Sequence, residues 1–122
     1  MKILYNNLLK AKEKGYWSAR VNEKKDTLIH TLYFKEKNIE DILSNKESSI
    51  EIPVLEFETP TNITHYDFSY PVKVYLEPSI GLKGCVRFKD NIRVEGLEEF
   101  KKIVLNKVME VYDSLEVNMD IN

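Results

Sequence analysis

Residues 65–77 read His-Tyr-Asp-Phe-Ser-Tyr-Pro-Val-Lys-Val-Tyr-Leu-Glu, and from Tyr66 to Leu76 every second residue is apolar or aromatic. Side chains of an extended chain alternate between two faces. Tyr66, Phe68, Tyr70, Val72, Val74 and Leu76 therefore share one wall, and His65, Asp67, Ser69, Lys73 and Tyr75 share the other. The stretch reads as a long strand with one face for a core and one for water or a partner. Pro71 removes a ladder donor, which predicts an edge position or a local break, while the unbroken phase keeps the chain extended. This regularity speaks for architecture, not for chemistry.

Upstream, Met1, Leu4, Leu8 and Ala11 recur at helical spacing, with Tyr5 and Leu9 beside them. Lys10, Lys12 and Lys14 crowd the end, where cations suit the helix dipole, and Gly15 supplies a stop. Trp17, Ala19 and Val21 then alternate with Tyr16, Ser18 and Arg20. A polar turn over Asn22–Asp26 leads into Thr27–Phe34, rich in β-branched and aromatic residues, so a hairpin is predicted. Asn38 is placed to cap a short helix over Ile39–Leu43. Ile50, Ile52 and Val54 alternate, but Leu55 and Phe57 continue one residue out of phase, with Pro53 at the shift. A β-bulge there explains both facts. Glu58 to Asn62 reads as a loop.

Downstream, Gly81 and Gly84 punctuate a turn region. Val86 and Phe88 can face Val94 and Ile92 across Lys89-Asp90-Asn91, a three-residue hairpin turn. Leu97, Phe100, Val104, Val108, Val111 and Leu115 form the apolar stripe of a long final helix, with Glu98 and Glu99 in its first turn. Runs of strands joined by short turns indicate an antiparallel sheet. The expected fold is α+β: a single domain over residues 1–122, with an antiparallel sheet of about five to six strands. The N-terminal and C-terminal helices pack on one face, and residues 116–122 form a frayed tail.

The 122-residue length suits one domain with a real core, and the 43% apolar share rules out a disordered chain. Cys85 is the only cysteine, so no internal disulfide can form, which fits a reducing compartment. No stretch approaches the roughly 20 apolar residues that span a bilayer, and Met1–Asn7 lacks the apolar run of a signal peptide. A cytoplasmic protein without membrane attachment is expected. The net charge of −2 hides an asymmetry: residues 1–37 carry nine Lys/Arg against four Asp/Glu, whereas residues 38–122 carry nine against sixteen.

Reactive chemistry has little support. His30, His65 and Cys85 are the only nitrogen and sulfur donors, and their spacing suggests no metal site. Ile80-Gly81-Leu82-Lys83-Gly84 lacks the pattern of a phosphate-cradling loop, and no cofactor is expected. His65, Asp67 and Ser69 share the polar face of the strand, but i, i+2 neighbours lie about 7 Å apart, too far for direct triad contacts.

Two binding surfaces stand out. Tyr66, Tyr70 and Tyr75 could form an aromatic patch for another protein, and tyrosine is frequent at interface hot spots. Arg20, Lys24, Lys25, Lys35 and Lys37, interleaved with Tyr16, Trp17, Tyr33 and Phe34, could contact phosphates and unpaired bases. Against the second stands an isoelectric point near 5.7. The expectation is a small, acidic, non-catalytic protein-binding module: an inhibitor, adaptor or accessory subunit. A nucleic-acid-binding protein using the first hairpin is the alternative, and a small enzyme using His65 and Asp67 the second. A homo-oligomer is compatible with all three.

Overall fold

The computed structural model describes residues 2–24, 26–37, 43–44 and 49–114. The expected helix over Ile39–Leu43 falls almost wholly outside these residues, as do Lys25, Leu115 and the expected tail at 116–122. The elements are helix α1 (Lys2–Lys14), strands β1 (Tyr16–Asn22), β2 (Thr27–Lys37), β3 (Ser49–Pro60), β4 (Val72–Glu77) and β5 (Leu82–Val86), and helix α2 (Leu97–Val111). Single 3-10 turns follow β4 and α2, at Pro78–Ile80 and Tyr112–Ser114. The strands follow one another in the order β1-β2-β3-β4-β5, every neighbouring pair antiparallel. This is the expected α+β architecture, with five strands and a helix from each end of the chain.

Register fixes which residues share a face. Trp17 lies across from Leu32, Leu32 from Leu55, and Leu55 from Val74, while His30, Phe57 and Val72 line up beside them. Both helices cover this face. Lys10 and Lys14 of α1 hold their ammonium groups over the Phe34 ring, and Phe100 of α2 meets Phe57 edge-on at 5.4 Å. Leu4, Leu8 and Ala11 from α1 join Phe100, Val104, Leu105 and Val108 from α2 in one core. Burying such a side chain contributes about 1.5–3 kcal/mol, and this packing sustains helices that would be marginal alone.

Gly15 ends α1 by close approach. Its N–H donates to the Ala11 carbonyl at 2.8 Å, and a Cβ at position 15 would stand 2.3 Å from that oxygen. Gly81, at φ +70, closes the 3-10 turn before β5 in the left-handed region that favours glycine.

The phase change near Pro53 is a bulge, as expected. Leu32 pairs with Leu55 but Tyr33 pairs with Pro53, which leaves Val54 as the extra residue. Val54 and Leu55 are both buried, so the bulge turns two consecutive apolar residues inward.

Three expectations need correction. The alternating stretch from Tyr66 to Leu76 is not one strand: β4 begins only at Val72, directly after Pro71. Tyr66 instead forms an isolated antiparallel bridge with Val94, and its ring stacks on Phe100 at 5.7 Å. Phe68 is buried against Phe88 and Phe100. Between these two rings Asp67 accepts hydrogen bonds from the amide and hydroxyl of Ser69, a local turn that competes with extended pairing. The hairpin expected over 86–94 is also absent, because β5 ends at Val86 and Val94 pairs with Tyr66. Glu58-Thr59-Pro60 belongs to β3, with Pro60 across from Thr27. Thr59 stays inside because its hydroxyl hydrogen-bonds His30 Nε2 at 2.9 Å.

Candidate functional site

The face of the sheet opposite the helices is built from the other parity of each strand. It carries Tyr16, Ser18, Arg20 and Asn22 from β1, Thr27 to Lys37 at odd positions from β2, and Glu51, Glu56 and Glu58 from β3. β4 adds Lys73 and Tyr75, and β5 adds Lys83 and Cys85. A groove of about 630 Å³ crosses this face, from Arg20 and Asn22 on β1 to Lys83 on β5, with Tyr70 and Pro71 at its rim.

Its floor is a satisfied polar network. Glu56 is 6% exposed, and Lys83 Nζ donates to its Oε1 at 2.9 Å while Thr31 Oγ1 donates to Oε2 at 3.3 Å. The Lys83 ammonium also lies 4.7 Å from the Tyr75 ring centre. Burial works against the charged form of Lys83, but hydrogen bonds to Glu56 and Tyr75 outweigh it and hold its pKa above the ordinary value. Burial pushes the Tyr75 phenol up. One step along β3, Glu58 accepts from the Thr27 hydroxyl and from Asn22 Nδ2, the latter at 3.3 Å.

Two cations in the groove are left over. Arg20 and Lys73 are exposed and make no ion pair, hydrogen bond or ring contact among the described residues. They stand three strands apart, roughly 14 Å at ordinary strand spacing. Between them lie the carboxylates already engaged by their own neighbours, with Ile29, Tyr70 and Pro71 as apolar surface. The groove thus presents two uncommitted cations and apolar wall, while Glu56 is ion-paired with Lys83 and Glu58 is hydrogen-bonded by neutral donors.

The residues singled out from sequence fall in several places. Tyr66 is on the covered side, partly buried against the core. Tyr70 is 38% exposed at the groove rim, and Tyr75 lies on the open face over Lys83. Of the basic set, Arg20 lines the groove, and Lys35 sits on the same face with its ammonium 5.7 Å from the Tyr16 ring centre. Lys37 ends β2 on the parity of Lys35, Lys24 is exposed in the hairpin turn, and Lys25 is outside the described residues. Tyr16 and Tyr33 stack on the open face at 6.0 Å. Trp17 and Phe34 are on the covered face, Trp17 against Phe57 at 5.7 Å and Phe34 fully buried.

The small-enzyme residues form a turn rather than a relay. Hydrogen bonds from the Ser69 hydroxyl and amide hold the Asp67 carboxyl below its ordinary range, and His65 Nδ1 accepts from Arg93 Nη2 at 3.2 Å. No hydrogen bond joins Asp67 to His65 among the described residues. Nor does any group of three His, Cys, Asp or Glu among those residues sit in a position to hold a metal ion. No helix among them is long and apolar enough to cross a membrane.

Glu56, Glu58 and Lys73 were not singled out from the sequence. The signal for the two glutamates is their alternation with Leu55 and Phe57, which marks the polar side of β3. Their neighbours Arg20 and Lys73 arrive from distant strands through register, which no local pattern records. No family model, curated protein or solved structure matches this chain.

Proposed function

We propose that the chain is a non-catalytic protein-binding module, an inhibitor, adaptor or accessory subunit, that docks a partner segment in the groove of its open sheet face. The observation that carries this reading is the pair of cations, Arg20 and Lys73, that have no partner among the described residues and stand on either side of an apolar-walled groove. Such a surface complements a segment bearing acidic side chains a few residues apart and an apolar one between them. Glu56 does not oppose it strongly, because its charge is paired with Lys83; Glu58, held by Thr27 and Asn22, keeps its charge but is outnumbered in the groove by Arg20 and Lys73. A cytoplasmic setting accompanies this reading, supported by the lone Cys85.

Selection from a random peptide display library tests it. Peptides enriched on the wild-type chain should carry Asp or Glu with an apolar residue, and binding should weaken about tenfold or more in the Arg20→Glu, Lys73→Glu double variant, as for lost charge pairs. Absence of enrichment, or affinity indifferent to that variant, contradicts the proposal.

The nucleic-acid reading keeps one specific observation in its favour: the stacked Tyr16–Tyr33 pair beside Lys35 on the open face. Glu51, across from Lys35 on the same face, opposes it, since phosphates are repelled there. Binding of single-stranded oligonucleotides that falls steeply with salt and is lost in a Lys24→Glu, Lys35→Glu variant would favour it over the peptide groove.

A further inference from the structure

The two ends of the sheet are protected unequally. Exposed edges invite further pairing, and natural edges are blunted by shortness, lysine, proline, bulges or a covering element. β5 has several of these features: it is five residues long, contains Lys83 and Gly84, and lies beside a register shift in β4. β1 is seven residues long and pairs with β2 without any shift. It holds no proline or lysine, and Arg20 is its only charge. No backbone hydrogen bond reaches its outer side from another segment among the described residues. Ser18, Ala19, Arg20 and Val21 are all exposed, and Val21, at 59%, is an apolar side chain beyond the helices' cover.

We infer that β1 pairs antiparallel with β1 of a second copy of this chain, about a two-fold axis at Ala19, so that the two sheets become one. The sequence of the strand is self-complementary in that register. Ala19 faces itself, Trp17 faces Val21 of the other copy, Ser18 faces Arg20, and Tyr16 faces Asn22. The exposed valine is covered by a half-buried indole, an aromatic and β-branched pair of the kind that stabilises strand pairing. The two arginines face serines, so no like charges stand opposite one another. A two-fold axis perpendicular to the sheet keeps both helical layers on one side and both grooves on the other. A shared edge between copies is isologous, the commonest arrangement in homodimers. This inference is independent of what the groove binds.

Sedimentation over a dilution series tests it with three proteins. The wild-type chain should dimerise at high concentration and dissociate on dilution. Ala19→Lys and Ala19→Glu, both at an exposed position, should each be monomeric with an unchanged circular dichroism spectrum. Their equimolar mixture should restore a dimer that weakens with salt. Val21→Glu, also exposed, gives a second route to the monomer if either Ala19 variant misfolds. A wild-type chain that stays monomeric at the highest soluble concentration overturns the inference, even if it takes up a foreign peptide along β1. Dimers that survive in both charged variants, or a mixture that remains monomeric, overturn it as well.

Discussion

On the covered side of β3, Leu55 is fully buried and Phe57 is surrounded by the rings of Trp17, His30 and Phe100. One residue away on the open side, Glu56 and Glu58 are held by a lysine, two threonines and an asparagine. The same strand thus solves two problems with alternate residues. The covered face carries the packing energy. The open face carries polar groups that satisfy one another and leave Arg20 and Lys73 without a partner among the described residues. The packed core and the proposed docking surface are separated by the parity of a strand.

The largest effect should come from the covered side. Phe100 meets Phe57, Tyr66 and Phe68 within 5.7 Å, so Phe100→Ala removes the hub of an aromatic cluster. A loss of about 3–5 kcal/mol in urea unfolding is expected. A loss below about 1 kcal/mol would break the comparison, because it would mean the helix does not seat on this face.

Glu56→Ala sharpens it from the other side. An ordinary solvated glutamate could be removed at little cost. Glu56 is buried, and its loss strands the Thr31 hydroxyl and the Lys83 ammonium. The expected destabilisation is about 1–3 kcal/mol, read by the same denaturant series, and the Tyr75 phenol should titrate differently once Lys83 is released.

A smaller effect is expected from His30, which sits on the covered side with Nε2 bonded to Thr59 and Nδ1 without a partner among the described residues. Burial first, and nearby Lys101 second, hold it below the ordinary 6.5, with Glu98 partly opposing. The unfolded chain therefore takes up a proton at higher pH than the folded one. Its contribution is intact above the ordinary histidine range and declines as pH falls below 6.5. His30→Gln should flatten the stability difference between about pH 7.5 and about pH 5.5. An unchanged difference would show that His30 is not buried as a neutral ring.

Much of this architecture was legible from sequence, and particular residues show why. The stripes Leu4-Leu8-Ala11 and Phe100-Val104-Val108 follow helical period because each helix buries one side only. The phase slip at Pro53 was readable as a bulge, since a fixed strand period makes any slip visible. The stretch 66–70 misled because its period-2 pattern has another cause. Tyr66 and Phe68 both reach the core from an irregular segment, and Asp67 between them closes a turn on Ser69. Val94 was assigned to Val86 by proximity in sequence, whereas Tyr66 takes it as a bridge partner. The groove was the least legible part. Its polar floor follows strand parity, but Arg20 and Lys73 come to share one groove only through the registers that set Arg20 beside Ile29, Ile29 beside Glu58, and Glu56 beside Lys73.

The smallest expected effect on stability, under about 0.5 kcal/mol, is that of Arg20→Ala or Lys73→Ala, since neither side chain has a partner among the described residues. Both should nevertheless weaken binding, and the most direct measurement follows from this. An acidic display-selected peptide is titrated into isotopically labelled protein while amide and methyl NMR signals are followed. Shifts confined to Ile29, Glu56, Glu58, Tyr70 and Lys73, and abolished in the Arg20→Ala, Lys73→Ala double variant, are the expected result. Shifts centred on the outer surfaces of α1 and α2, or shifts that persist undiminished in that variant, would contradict the assignment of recognition to the open face.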